Sequence, residues 1–192
     1  MFASFAASVR GMDQVTWARE LAERLLAEPL PRRWAHSQGV AARASTVGDV
    51  VRDQADLLIA AAWLHDIGYA PAVVDTGFHP LDGARYLRGL GADPRLCSLV
   101  ANHSCADIEA RNRGLADVLR AEFEPVGGVL GDALTFCDMT TTPDGEPTEV
   151  EARLAEIFER YGEGHLVAKS MREASPLIVN AASKVTDLIE AQ

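Results

Sequence analysis

Apolar residues recur at three- and four-residue steps along most of the chain. The first clear case covers 14–28, where Val15, Ala18, Leu21, Leu25 and Leu26 share a face and Pro29 and Pro31 end the run. A second helix is expected over 32–51, and on it His36, Gly39, Val40 and Arg43 lie on one side. The third, 54–67, has a wide stripe of Leu57, Leu58, Ala61, Ala62 and Leu64, with Gly68 as its natural stop. A loop at 69–78 contains Pro71 and Gly77. Pro80 then suits the first turn of a helix whose stripe is Leu81, Ala84, Leu87 and Leu90, ending at Gly91. Helix 94–103 turns Leu96, Leu99 and Val100 inward and carries His103 in its last turn. The charged segment 107–124 reads as a surface helix bending at Gly114, whereas 126–139 is apolar around much of its circumference.

Threonine, proline and glycine mark 140–148 as a loop, and Thr148 with Glu151 forms a capping-box pattern for a helix running to Tyr161. Segment 165–190 is helical by period, with an interruption expected near Pro176 and with His165 on the surface. No alternating strand pattern of useful length occurs, so the expected fold is all-α.

With 192 residues and 48% hydrophobic content, the chain is long enough for one well-buried core, and it is read as a single domain over 1–192. Residues 1–12 are read as a flexible leader, 33–142 as the motif-bearing core and 148–190 as C-terminal helices. A net charge of −10 argues against an extended nucleic-acid or anionic-membrane surface. A small anionic substrate needs only a local arginine cluster, and Lys169 and Lys184 are the only lysines. Cys97, Cys105 and Cys137 show no paired spacing, which fits a reducing cytoplasm. No apolar run approaches the roughly 20 residues of a membrane span.

The candidate chemistry centres on 62–69, where an apolar helix ends in the adjacent pair His65 and Asp66. Burying a carboxylate without a partner costs several kcal/mol, so a cation or donor is expected opposite Asp66. His36, His79, His103 and Asp138 complete a set of four imidazoles and two carboxylates on separate elements, most of them at helix ends. Such a mixed set suits iron, manganese, nickel or zinc better than calcium, with magnesium also within range. It is large enough for one or two divalent ions, with Asp66 able to bridge them.

The order His36, then His65-Asp66, then Asp138 resembles the HD superfamily of metal-dependent phosphohydrolases, over about 33–142. His65-Asp66-Ile67-Gly68, followed by His79-Pro80-Leu81-Asp82-Gly83-Ala84 and His103, is similar to its dinuclear branch, best known from the HD-GYP phosphodiesterases. Tyr69 stands where HD-GYP proteins usually have lysine, and 104–114 lacks a Gly-Tyr-Pro segment. The cyclic dinucleotide substrate is therefore not carried over. The glutamate that follows the pair in bacterial 5′-nucleotidases is also missing.

The resemblance implies a small phosphorylated, nucleotide-like substrate and a metal-activated water oriented by Asp66 as the catalytic residue. Arg43 is the first candidate to meet phosphoryl charge, with Arg33, Arg85 and Lys169 behind it. Two other classes share the ligand set. One is the HD-type mixed-valent diiron oxygenases; the other is ligand-binding signalling modules whose relatives have lost ligands, though no ligand position is missing here. Oligomeric state is not read from the sequence.

Overall fold

The computed structural model describes residues 13–192, so the expected leader lies outside the described residues. Helix α1 (Gln14–Leu26) starts at Asp13, whose carboxylate accepts the Thr16 amide. Helix α2 (Pro31–Thr46) is shorter than expected, because the chain turns at Val47 into the single-turn α3 (Gly48–Val51) and then a 3-10 turn over Arg52–Gln54. Helix α4 (Ala55–Leu64) follows. It is apolar on nearly every side, and Leu58, Ala60, Ala61, Ala62 and Leu64 have no exposed surface, as befits a helix enclosed by others. Helices α1 and α2 pack along it, with α6 and α9 also in contact.

Helix α5 (His79–Gly89) and helix α6 (Pro94–Asn102) pack on each other, and each has proline in its first turn. The expected bend at Gly114 is a break: α7 (Ala106–Arg113) ends on Gly114 at φ 74 and α8 (Ala116–Glu122) begins after it. Helix α9 (Val129–Met139), helix α10 (Val150–Tyr161) and the long α11 (Leu166–Glu190) complete the fold, with α11 lying against α7, α9 and α10.

Two local expectations are corrected. The Thr148 capping box does not form: the Thr148 amide donates to the Thr140 carbonyl, and the cap position falls to Glu149, which makes no side-chain cap bond. Pro176 does not interrupt α11, and it lies on the exposed face of that helix. His165 is exposed as expected, and its ring accepts the Val167 amide to cap α11. No strand occurs among the described residues beyond an isolated bridge from Thr141 to Pro147, which closes the 140–148 loop. Among them no helix is long and apolar enough to cross a membrane.

Candidate metal centre

The six expected ligands converge from five elements. His36 lies in the second turn of α2, and His65 and Asp66 follow α4 where it gives way to a 3-10 turn over Ile67–Tyr69. His79 opens α5, His103 follows α6, and Asp138 is the penultimate residue of α9. Two glycines permit the approach. A Cβ on Gly68 would come 1.9 Å from the His79 carbonyl oxygen, and one on Gly39 would come 2.3 Å from that of Gly145 in the 140–148 loop.

Three imidazoles are fixed in one tautomer. His36 Nδ1 donates to the Thr142 carbonyl at 2.9 Å, His65 Nδ1 to that of Ala62 at 2.8 Å, and His103 Nδ1 to that of Val100 at 2.7 Å. A carbonyl only accepts, so each neutral ring presents its Nε2 lone pair to the centre. This is the ligand-ready form, oriented by backbone as metal-binding histidines are.

The ligand atoms fall into two groups, His36, His65 and Asp138 in one and Asp66, His79 and His103 in the other, each with all atoms within 4.8 Å of one another. Asp66 turns an oxygen to both. Its Oδ1 is 3.4 Å from His79 Nε2, while its Oδ2 is 3.5 Å from His65 Nε2 and 4.0 Å from His36 Nε2. The protein alone leaves this arrangement incomplete. His65 Nε2 is buried with no partner, His36 Nε2 faces Asp138 Oδ1 at 3.0 Å, and the Nε2 atoms of His79 and His103 face each other at 3.2 Å. Lone pairs aimed at one another or at a carboxylate repel unless a proton or cation intervenes. The donor set therefore fits divalent transition metals.

Electrostatics favour the ligating protonation states. Burial pushes His65 down to about 4 despite the nearby Asp66 and Asp138, and burial likewise holds His79 well below the usual imidazole range. Burial opposes the charge on Asp66, but Arg33 and the surrounding imidazoles keep its carboxyl far below the ordinary value. Asp138 is also held down, against burial, by its contact with His36 and by His65.

The surroundings are specific. Arg33 Nη1 donates to Asp66 Oδ2 at 2.5 Å, its guanidinium lies 4.0 Å from the Tyr69 ring centre, and Tyr69 stacks on His79 at 4.0 Å. Ser104, in a left-handed conformation at φ 49, donates to Asp138 Oδ2 at 2.5 Å. Buried Asp82 accepts the amides of Asp75, Thr76 and Gly77, each at 3.0 Å, tying the 69–78 loop to the start of α5 and so placing His79. Asp66, His79, His103 and Asp138 line a cavity of about 80 Å³, which Arg153, Arg160 and Tyr161 of α10 also line.

Of the four basic candidates, the structure brings only Arg33 to this cavity. Arg43 stacks its guanidinium 4.8 Å from the Phe136 ring centre, away from the cavity lining. Arg85 pairs with Glu122 at 3.1 Å and faces Asp75, and Lys169 is exposed on α11 outside the lining. Arg153 and Ser104 went unnoticed in the sequence. Arg153 belongs to an ordinary amphipathic helix with no motif, and the only signal for Ser104 was its place after His103.

No curated protein and no solved structure matches the chain. The family model of the HD domain matches residues 33–162, which extends the resemblance past the 140–148 loop to include α10. With that match running from α2 to the end of α10, the chain belongs to the HD domain family, the superfamily of metal-dependent phosphohydrolases.

Proposed function

We propose that the protein hydrolyses a small, nucleotide-like phosphate ester, with a divalent transition metal in each ligand group and Asp66 shared between them. The observation that carries this is the position of Asp66, one oxygen towards each group, in the lining of a cavity that Arg33, Arg153 and Arg160 share. Bound there, such ions supply Lewis acidity to a phosphoryl oxygen and lower the pKa of a coordinated water towards neutrality.

The chain's own residues do the positioning. Asp66, kept ionised by Arg33, accepts a hydrogen bond from the attacking water and aims it at phosphorus. Arg33, already one hydrogen bond from Asp66 and facing the same cavity, meets the charge that builds on the phosphoryl oxygens. Burial of Asp66 itself strengthens its contact with Arg33, since a charge pair attracts more strongly where the local dielectric is low.

The test is metal analysis of protein purified without chelator, then a phosphate-release screen over nucleotides and simple phosphate esters with Mn²⁺, Fe²⁺, Mg²⁺ and Ni²⁺ added back. Metal-dependent phosphate release is expected. Stoichiometric iron with oxygen consumption and no phosphate release would replace the hydrolase reading with that of an oxygenase.

A further inference from the structure

Helix α10 brings an arginine into the interior with too few partners. Arg153 is 4% exposed, and its only hydrogen-bond acceptor among the described residues is Glu156, met through Nη1; its Nε is buried and unpartnered. Glu156 is also the carboxylate facing Arg160, whose Nε lies 3.3 Å away. Two guanidiniums thus share one carboxylate. A buried guanidinium that is incompletely paired is costly, and a bound anion relieves that cost.

The place of this surplus charge narrows the ligand. Arg153 lines the same cavity as Asp66, His79, His103 and Asp138, and its charge reaches Asp138 without bonding to it. Arg160 lines this cavity and also a smaller adjoining one that includes Arg33 and His36. Arginines from α2 and α10 therefore share cavity linings with the ligand groups, in a chain whose net charge is −10.

We propose that Arg153 is an anion-binding residue that selects phosphomonoesters, by receiving the third non-bridging oxygen of a terminal phosphoryl group seated on the two ligand groups. This rests on the phosphohydrolase reading. A monoester offers three non-bridging oxygens; a diester offers two and needs room for a second ester arm. The cavity of about 80 Å³, walled by Met139, Ile157 and Tyr161, has space for one head group. Pockets that enclose a whole small-molecule ligand run to about 300–1,000 Å³, so the remainder of the substrate extends outward. The guanidinium fork suits such an oxygen better than an ammonium does.

The test compares the metal-loaded parent with Arg153→Met in two measurements, checking first that metal content and melting temperature are retained. Calorimetric titration with inorganic phosphate should show binding weakened about 10- to 100-fold, the usual range for losing a charge-assisted hydrogen bond. The kcat/KM ratio of para-nitrophenyl phosphate to bis-para-nitrophenyl phosphate should favour the monoester in the parent and collapse in the variant. If Arg153→Met does not fold, Arg153→Lys serves, with affinity and selectivity expected to fall part of the way. Unchanged phosphate affinity in a folded, metal-replete variant overturns the proposal, as does a parent that prefers the diester. A parent that cleaves neither ester, yet loses phosphate affinity without Arg153, overturns the hydrolase reading and with it the ester selectivity, but leaves the anion site standing.

Discussion

The two ligand groups have the same donors, two imidazoles and a carboxylate, but they are held in different ways. His36, His65 and Asp138 are all buried, sit on or just after core helices, and have both imidazoles pinned through Nδ1 to backbone carbonyls. In the other group only His103 is pinned so. His79 has 15% of its side chain exposed, makes no Nδ1 hydrogen bond among the described residues, and takes its orientation from the Tyr69 stack and the Asp82-braced loop. Preorganised ligands lose less freedom when they bind an ion. The first group should therefore hold its metal more tightly, and the second should exchange more readily.

Removing the shared residue tests whether the two groups are one centre. Asp66→Ala should lower metal content in both groups and reduce phosphate release to background, read by metal-to-protein ratio and the phosphate assay. Loss confined to one group would show that Asp66 belongs to that group alone. Next in size, the double variant His79→Ala with His103→Ala should leave one metal per chain, held by His36, His65, Asp138 and Asp66. Two metals retained in the double variant, or one in the parent, would end the two-site description.

Acid should strain the tight group. His65 is held down to about 4 in the folded, metal-free chain against an ordinary 6.5. Between those values the unfolded chain binds a proton that the folded one does not. Its contribution is thus fully present above about pH 6.5 and is lost as pH falls towards 4, on the order of 3 kcal/mol. His79, also held down by burial, adds in the same direction. Urea unfolding of the metal-free protein across this range should show the slope, and His65→Gln should flatten it.

The finest comparison uses the two glycines. Gly39→Ala forces a Cβ against the loop whose Thr142 carbonyl orients His36, while Gly68→Ala forces one against the backbone of His79. Each should weaken metal binding in its own group by about 10- to 100-fold, the scale of disturbing a ligand's support. Competition with a metallochromic chelator measures both affinities. Equal losses in both groups from either change would contradict their separate bracing.

Much of this centre was legible in the chain. An apolar helix ending in His65-Asp66, proline-started helices beside His79 and after Gly91, and Asp138 on an apolar segment all mark polar groups that a core tolerates only with partners. Arg43 misled because helical phase places it on the His36 face but says nothing of depth. Seven residues amount to a rise of about 10 Å, enough to carry it from the cavity to Phe136. Arg153 was invisible for the converse reason. Its phase within α10 is ordinary, and only the packing of α10 against α9 and α11 turns it into a cavity wall.

The sequence by itself determined the donor types, their order and the helices that carry them, because periodicity, caps and the cost of burying charge are local properties. Only the tertiary structure decided how the donors divide. His65 and Asp66 are neighbours in the chain, yet His65 belongs to one group while Asp66 reaches both, with Oδ2 3.5 Å from His65 and Oδ1 3.4 Å from His79, since successive side chains leaving a helix point about 100° apart and the chain turns after Leu64. Which imidazole meets which carboxylate, and which arginine faces them, depends on backbone approaches such as Gly68 to His79, and these exist only once the helices are packed.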